Sequence, residues 1–239
     1  MSAPQLSVVI PAFNEAARLP STLAAIKRFL DATSLSHEIL VVDDGSSDDT
    51  GARAQAALPG GVRVLRNETN HGKGFSVRRG MLEAAGARRL MSDADLSTPI
   101  EELPRLMQKL DDGFDVAIAS RALPGAQVVV HQPYFRENVG RLFNLMAQAL
   151  LLPGLHDTQC GFKLWSGEAA REGFARARVD GFSFDVEVLF LARRRGRKIA
   201  EVPVTWRNDA ASRVTLLRGS TAFLDLLRIR WHALAGRYD

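Results

Sequence analysis

Cysteine and long apolar runs are scarce in this sequence, and each scarcity excludes a class of protein. The single cysteine, Cys160, leaves no disulfide framework and no zinc site built from cysteines. The longest apolar stretch, residues 143–155, holds 13 residues and includes Gln148 and Pro153, whereas a membrane-spanning helix needs roughly 18 or more. No basic residue precedes the first apolar run. We therefore expect neither a spanning helix nor a secretory signal.

The remaining composition is that of a soluble globular protein. Of 239 residues, 46% are hydrophobic and 24% are charged, which excludes a disordered, collagen-like or coiled-coil chain as the main state. The net charge of +4 is unevenly distributed, because residues 190–239 carry a net +7 and residues 1–189 a net −3. The basic C-terminal fifth predicts contact with an anionic partner, namely a membrane surface, a nucleic acid or a phosphorylated substrate.

Apolar runs alternate with amphipathic segments over the first 120 residues. Residues 6–12 and 38–42 are almost continuously apolar, as in strands buried on both faces. Further strands are predicted at residues 62–65, 89–92 and 115–119, and helices at residues 19–30, from about residue 48, at residues 74–85 and from residue 98. Thr98 and Glu101 are placed to form a capping box on the last of these. The alternation predicts an α/β fold, a mostly parallel sheet with helices on both faces.

The pattern changes after residue 120. A loop is predicted at residues 122–133, one strand at residues 198–206, and helices at residues 134–152, 184–195 and 219–235. The chain has no internal repeat and no linker composition. We therefore expect a single domain over residues 1–239, with an elaborated C-terminal third.

Polar side chains follow the predicted strands directly. Asp93 and Asp95 come after the fourth strand, two residues apart, so their carboxylates point the same way. Ligand sites of open parallel sheets lie beyond the carboxyl ends of the strands. Two carboxylates in one place need a counter-charge, and Mg²⁺ bound by carboxylates and substrate phosphates is the usual solution. The pair predicts a divalent metal site, the alternative being a solvated loop that caps the next helix.

Other strand ends carry less specific signals. Residues 43–48 (DDGSSD) fit either a turn with a helix cap or carboxylates that bind a nucleotide. Residues 70–74 (NHGKG) lack the spacing of a P-loop, and no Gly-x-Gly-x-x-Gly follows the first strand, which argues against a P-loop ATPase and a dinucleotide dehydrogenase. Cys160 is interpreted as a small packed residue rather than a nucleophile.

Taken in order, these motifs resemble those of the family 2 glycosyltransferases, whose fold is called GT-A. The matching segments are residues 11–15 (PAFNE), 41–46 (VVDDGS), 70–74 and 93–95 (DAD), within a resemblance that covers about residues 5–215. Residues 157–163 (DTQCGFK) and 184–187 (FDVE) resemble the polyprenyl-phosphate branch of that family, above all the enzymes that glucosylate dolichyl phosphate.

The resemblance implies a Rossmann-like GT-A sheet and a nucleotide-sugar donor, UDP-glucose ahead of GDP-mannose. It assigns nucleotide-sugar contacts to Pro11, Phe13, Glu15, Asp43, Asp44, Lys73, Asp93, Arg207 and Arg213. Asp93 and Asp95 are then expected to hold Mg²⁺ or Mn²⁺ on the diphosphate. Ser97 stands where mannose-transferring relatives have a glutamine, which weakens the case for a third protein ligand and for mannose. Residues 207–215 are interpreted as a lid over the donor or as a plain flexible loop.

The implied acceptor is a lipid phosphate. A phosphate monoester has a second pKa of about 6 and is mostly dianionic at neutral pH, so it needs cationic positioning more than a general base. Arg121, Arg136 and Arg141 are the candidates, since arginine binds phosphate with a bidentate fork; the alternative is ordinary surface charge. Asp185 and Asp157 are the candidate catalytic carboxylates, as a base or as sugar-orienting groups, against a helix cap or a structural hydrogen bond.

A polyprenyl tail lies in a lipid bilayer, so the protein is expected to reach this acceptor at a membrane surface. The predicted helices 134–152 and 219–235 combine apolar and basic residues, which is typical of helices lying in the headgroup region, although amphipathic helices that cover the sheet have the same pattern. We expect residues 1–120 to bind the nucleotide sugar and residues 121–239 to face acceptor and membrane.

The expected location is cytoplasmic, peripheral on the cytoplasmic face of a membrane, with or without a separate membrane protein as partner. No nucleic-acid partner is expected, because no recognisable reader motif accompanies the basic C-terminal fifth. The alternatives left open are a soluble or polysaccharide acceptor and a non-enzymatic subunit that binds nucleotide sugars.

Overall fold

A computed structural model describes residues 3–130, 134–208 and 216–239, with the backbone alone at residue 136 and at residues 216–221. The strands are β1 (Leu6–Ala12), β2 (His37–Asp43), β3 (Arg63–Arg66), β4 (Arg88–Ser92), β5 (Val116–Ser120), β6 (Gln127–Val130), β7 (Phe162–Ser166), β8 (Ile199–Pro203) and β9 (Thr205–Arg207). Seven of them form one sheet in the order β3-β2-β1-β4-β7-β5-β8, and β6 pairs with β9.

The helices lie between these strands. Within the described residues they are α1 (Leu19–Asp31), α2 (Thr50–Ala57), α3 (Lys73–Glu83), α4 (Leu103–Asp111), α5 (Tyr134–Leu150), α6 (Gly167–Arg176), α7 (Phe184–Arg194) and α8 (Leu216–Leu234). Two apolar clusters cover opposite faces of the sheet. Val9 packs in the cluster that includes α3 and α7, whereas Val8 and Ile10 pack in the cluster that includes α1 and α4. The expectation of helices on both faces is confirmed.

The parallel part of the sheet brings several strand ends to one edge. β1 runs parallel to β2 and β4, with Ala12 opposite Asp43 and Val9 opposite Met91. Side chains on both faces of β1 are buried, because helices pack on each side. The residues that follow these strands therefore meet at the same place.

β7 is a strand of the main sheet that the sequence pattern did not predict. It runs antiparallel between β4 and β5, and its first residue, Phe162, pairs with Ser92 at the end of β4. Its residues include a buried lysine, Lys163, which breaks the apolar run expected of an inner strand. Because β7 runs against its neighbours, the segment before it, residues 157–161, reaches the edge where β4 ends.

Three local predictions were wrong. The predicted loop 122–133 contains β6, and the predicted strand 198–206 is split into β8 and β9. The split lies at Val204, whose backbone N–H donates to Ser120 O. The predicted capping box is absent: a 3₁₀ turn, Ile100–Glu102, follows Pro99 without a side-chain cap, and Thr98 Oγ1 instead lies 3.4 Å from Cys160 Sγ.

The long helices α5 and α8 pack against each other, with Phe143 and Phe223 in an edge-to-face contact at 5.5 Å. Their outer sides expose large apolar side chains: Tyr134, Phe135, Leu142 and Leu145 on α5, and Leu224, Leu227, Trp231 and Leu234 on α8. In the described ranges, no helix has the length and apolarity needed to cross a membrane.

Candidate functional site

A cavity of about 430 Å³ opens at the edge where β1, β2 and β4 end. That volume falls within the range of small-ligand sites. Residues from the strand ends, the loop before α3, the approach to α7 and helix α8 form its walls: Pro11, Ala12, Phe13, Glu15, Arg18, Asp44, Asn70, Gly72, Lys73, Ser76, Asp93, Ala94, Asp95, Gly181, Phe182, Ala222 and Asp225. Of the predicted nucleotide-sugar residues, Pro11, Phe13, Glu15, Asp44, Lys73 and Asp93 are among them.

The loop after β1 is held against the loop after β2. Asn14 has a left-handed backbone, with φ of 56°. Its backbone N–H donates to Ser46 Oγ at 2.9 Å, and its side-chain oxygen accepts from Ser47 N at 2.8 Å. These bonds fix the turn from which Phe13 and Glu15 reach the cavity, and Glu15 forms an ion pair with Arg18.

The two adjacent aspartates after β2 have different roles in the structure. Asp44 lines the cavity and accepts hydrogen bonds from Asn67 Nδ2 and from the backbone N–H groups of His71 and Gly72. Asp43 is fully buried and does not line it. One Asp43 oxygen accepts from Ser46 N at 2.9 Å. Asp44 therefore anchors the 70–74 loop, and Asp43 shapes the turn beneath it.

The predicted metal ligands, Asp93 and Asp95, both line the cavity. Asp93 Oδ1 is buried and accepts no well-oriented hydrogen bond within the described ranges; its close polar neighbour is the Lys73 ammonium, 2.6 Å away. Burial and then repulsion from Asp93 raise the pKa of Asp95. Burial opposes the charge of Lys73, but Asp93, Asp185 and Asp95 outweigh it and raise the pKa of this amine.

These observations fit a divalent cation. Two crowded carboxylates, of which one is paired with Lys73 and the other has a raised pKa, favour additional positive charge beside them. In the described part of the chain, the pair belongs to no cluster of three or more His, Cys, Asp and Glu residues suited to a metal. The remaining ligands would have to be phosphate oxygens and water, as is usual for Mg²⁺.

Gly161 allows the segment before β7 to lie directly against Asp93. A Cβ atom on Gly161 would lie 1.9 Å from Asp93 Oδ2, so the carboxylate occupies the space of a missing side chain. The backbone N–H of Asp93 donates to Gly161 O at 3.0 Å. The main chain of Asp93 is therefore bonded to Gly161, and its carboxylate lies where a side chain at residue 161 would collide with it.

Arg121 follows β5 and is held by Asp157. Its Nε lies 2.7 Å from Asp157 Oδ2, its Nη2 lies 2.8 Å from Oδ1, and its backbone N–H also donates to Oδ2. The guanidinium stacks over Trp206 at 5.2 Å. Burial would raise the pKa of Asp157, but Arg121 outweighs it and lowers that pKa. Both predicted residues are thus brought together as one ion pair.

Asp185, the other predicted catalytic carboxylate, is 3% exposed and lies outside the cavity lining. Lys163 donates to it at 2.5 Å and to Cys160 O at 2.6 Å. Burial raises the pKa of Asp185, against the opposing pull of Lys163 and Lys73. Burial also raises the pKa of the Cys160 thiol to about 11, which fits a packed residue.

Arg121 does not line the cavity, and neither do the other predicted arginines whose side chains are described, Arg141 and Arg207. Arg141 is exposed on α5, one turn before Asn144, which accepts from Thr158 N beside Asp157. Arg207 is exposed, and its backbone N–H donates to Ser97 O. Arg213 lies outside the described residues, as do the side chain of Arg136 and most of the predicted lid.

The family model described as "Glycosyl transferase family 2" matches residues 7–174. The chain belongs to glycosyl transferase family 2. Among curated relatives, it is 35% identical to a dolichyl-phosphate beta-glucosyltransferase from Dictyostelium discoideum, over 97% of this chain and 75% of the relative. It is 34% identical to the protein of the same name from Homo sapiens, over 98% of this chain and 77% of that one.

Solved structures of glucosyl-3-phosphoglycerate synthase from Mycobacterium tuberculosis share the fold of this family 2 chain. The complex with UDP has a TM-score of 0.70 and 23% identity, covering 95% of this chain and 80% of that one. The complex with Mn²⁺, UDP and phosphoglyceric acid has a TM-score of 0.69 and 22% identity, covering 98% and 78%. The likeness shows a GT-A-like fold, as the sequence motifs predicted.

Several cavity residues of this family 2 domain were missed from the sequence. Asn70 lies within a recognised motif and Arg18 and Ser76 lie close to one, and this position was the available signal. Gly181 and Asp225 come from the C-terminal part of the chain. Their positions depend on how α7 and α8 pack, which no local pattern predicts.

Proposed function

We propose that this chain is an inverting transferase that moves glucose from UDP-glucose to the phosphate of a polyprenyl phosphate such as dolichyl phosphate. The observation that carries the proposal is the grouping of Asp93, Asp95 and Lys73 in a cavity of about 430 Å³ at the strand ends. That grouping suits a diphosphate with a divalent cation. Relatives named for this reaction align with nearly the whole chain.

The donor is expected to lie along the cavity from the end of β1 to the metal pair. Pro11, Phe13, Glu15 and Asp44 would contact the nucleoside, with Asp43 supporting the turn from below. Lys73 would neutralise one diphosphate oxygen. Mg²⁺ or Mn²⁺ held by Asp93 and Asp95 supplies, when bound, positive charge that offsets the charge of the leaving UDP.

Arg121 is suited to hold the acceptor phosphate. Asp157 occupies Nε and Nη2, and among the described residues none accepts from Nη1. The guanidinium of Arg121 is therefore fixed in place, and its Nη1 group stays available to donate to a phosphate oxygen. Arg136 and Arg141 on α5, and Arg207 and Arg213 on the predicted lid, are the proposed further cations.

The proposed step is a single displacement at the anomeric carbon. An oxygen of the lipid phosphate forms a bond to this carbon while the bond to the UDP oxygen breaks, which inverts the configuration. A dianionic phosphate carries no proton that must be removed. The contacts of Asp157 with Arg121 and of Asp185 with Lys163 suit positioning roles for both carboxylates better than proton transfer.

The experiment is an in vitro transfer assay. Purified protein would be incubated with labelled UDP-glucose or GDP-mannose and a short polyprenyl phosphate, with Mn²⁺ or with a chelator. We expect label in the lipid fraction when the donor is UDP-glucose and Mn²⁺ is present, and no label when the chelator replaces the metal. Transfer from GDP-mannose but not from UDP-glucose would show that the proposed donor is wrong. Transfer to a soluble phosphate monoester but not to the lipid would show that the proposed acceptor is wrong. No transfer at all would overturn the enzyme assignment.

We also propose that α5 and α8 dock on an anionic membrane surface. Their exposed apolar side chains lie beside exposed arginines at positions 141, 228 and 230, a combination that favours the headgroup region. Docking would bring the lipid acceptor to the half of the protein that carries Arg121. This is the proposed basis of a peripheral location on the cytoplasmic face of a membrane.

Co-sedimentation with vesicles that contain anionic lipid tests this surface. The double variant Leu227→Ser and Trp231→Ser should lose most binding, because both side chains are more than half exposed on α8. The control Leu82→Ser removes an exposed leucine of α3 and should bind as the wild type does. Equal binding by all three proteins would contradict the proposal.

A further inference from the structure

The C-terminal helix α8 forms part of the donor cavity wall. Ala222 and Asp225, one turn apart on α8, line the cavity together with Gly181 and Phe182. The helix is fixed there, because Ser183 Oγ donates to Ala222 O at 3.2 Å. Leu226 and Ile229 on α8 are fully buried in the core. This wall is therefore held against the core of the protein.

The same wall is joined to the loop that carries Lys73. The backbone N–H of Gly74 donates to Asp180 O at 2.8 Å. A Cβ on Gly72 would lie 2.4 Å from Asp180 O, so the two backbones are in direct contact. Gly181 separates Asp180 from the cavity, and Asp225 Oδ2 lies 4.0 Å from the place of a Cβ on Gly181.

Among the residues that the structure describes, the carboxylate of Asp225 has no structural role in this wall beyond one ion pair. Its side chain is 13% exposed, and within the described ranges its one ion-pair partner is Arg228, at 3.3 Å. The Arg228 side chain is 68% exposed, so this bond is a weak surface pair. The cavity cations are engaged elsewhere, since Arg18 pairs with Glu15 and Lys73 pairs with Asp93.

The charge of Asp225 limits what it can bind. A carboxylate repels phosphate, and Asp225 belongs to no cluster suited to a metal in the described part of the chain. A carboxylate is a strong acceptor for a hydroxyl group. A nucleotide sugar presents hydroxyl groups on its ribose and on its hexose.

We infer that Asp225 accepts a hydrogen bond from a hydroxyl group of the bound nucleotide sugar, so that α8 contributes to donor selection. The inference rests on the proposed function, because it requires a nucleotide sugar in the cavity. It makes α8 a bifunctional element, with one side facing the donor and the other exposing Leu224, Leu227 and Trp231.

Titration calorimetry with UDP-glucose and with UDP, each in the presence of Mn²⁺, tests the inference. Asp225→Ala is expected to weaken UDP-glucose binding by about tenfold or more, the factor that one charge-assisted hydrogen bond supplies. A loss with UDP as well assigns the bond to the ribose, and a loss with UDP-glucose alone assigns it to the hexose. Either result supports the inference.

Arg228→Gln is the matched control, because it removes the same ion pair and keeps the carboxylate. It should bind UDP-glucose within about twofold of the wild type, as expected for a weak surface pair. Unchanged binding by Asp225→Ala, or an equal loss in both variants, would overturn the inference. Asp225→Asn, which keeps the size of the side chain, replaces the alanine variant if that one melts early. A wild-type protein that binds neither ligand would instead overturn the proposed function and the inference with it.

Discussion

Arg121 and Asp157 form a two-pronged ion pair, with Nε 2.7 Å from Oδ2 and Nη2 2.8 Å from Oδ1. The backbone N–H of Arg121 adds a third hydrogen bond to Oδ2, and Gln159 N donates to Oδ1 at 3.3 Å. Both oxygens of Asp157 are therefore occupied by structural partners. An aspartate that is a candidate base from its motif is, in the structure, the anchor of an arginine.

Asp157→Asn is expected to destabilise the protein by about 3 kcal/mol, because a largely buried guanidinium keeps its location but loses its counter-charge. For a chain of this size, the melting temperature should fall by roughly 6–12 °C. Differential scanning calorimetry measures the effect, with the exposed Asp49→Asn as control. A variant that melts as the wild type does and transfers no sugar would indicate that Asp157 is a base after all.

Asp157 and Asp185 should give opposite pH dependences of stability. The pKa of Asp157 is lowered by Arg121 against the effect of burial. Its stabilisation is present above the unfolded pKa of about 3.9 and is lost as the pH falls through the lower folded pKa. Burial raises the pKa of Asp185 despite Lys163 and Lys73. Its stabilisation is fully present below about 3.9 and is lost as the pH rises through the higher folded pKa.

Urea unfolding between about pH 3 and pH 7 separates the two. The stability difference between wild type and Asp157→Asn should shrink as the pH falls below about 4. Relative to the wild type, Asp185→Asn should gain stability as the pH rises above that value, since it never ionises. If the free energy of unfolding of both variants stays parallel to that of the wild type at every pH, neither the lowered pKa of Asp157 nor the raised pKa of Asp185 is correct.

Asp95→Asn is expected to lower transfer by about 100-fold or more, as loss of a metal ligand removes several kcal/mol of charge stabilisation. Its stability should not fall, because burial and Asp93 already disfavour the ionised form. Mn²⁺ affinity in the presence of UDP gives an independent readout and should weaken in parallel. Retention of metal binding and full turnover would remove Asp95 from the metal site.

Gly161→Ala tests the contact between β7 and the metal pair. The added methyl group would lie 1.9 Å from Asp93 Oδ2, so this carboxylate has to move and Mn²⁺ affinity should fall by about tenfold or more. Gly140→Ala is the control, since a Cβ there meets no atom of the described chain within 4 Å. On a helix it should be neutral or stabilising by up to about 1 kcal/mol. Equal metal affinity in the two variants would contradict the proposed role of Asp93.

The N-terminal half of the fold, residues 1–120, is predictable from sequence because its signals are local. A run of apolar residues bounded by polar ones predicts β1 at residues 6–12, the bounds that the structure has. Asp44 and Asp93 follow such runs directly, so the topology of a parallel sheet is enough to bring them to one edge.

The C-terminal half of the chain, residues 121–239, resists prediction because its signals are long-range. The partner of Arg121, Asp157, lies 36 residues away in the sequence. Lys163 in β7 is paired with Asp185, a residue of α7 that only the folded chain brings next to it. The apolar spacing of α8 indicates which side is buried, but not that Asp225 borders a cavity formed by β1 and β4. Such contacts follow from packing and not from periodicity.

The reversed direction of β7 has a consequence for how related sequences can diverge. The segment before it, residues 157–161, touches the loop after β4 through a main-chain hydrogen bond, from Asp93 N to Gly161 O. That contact itself constrains the side chain only at Gly161, whereas Asp157 in the same segment is fixed by its ion pair with Arg121. Within residues 157–160, Gln159 is the one residue that is not buried, so divergence among related sequences is expected there first.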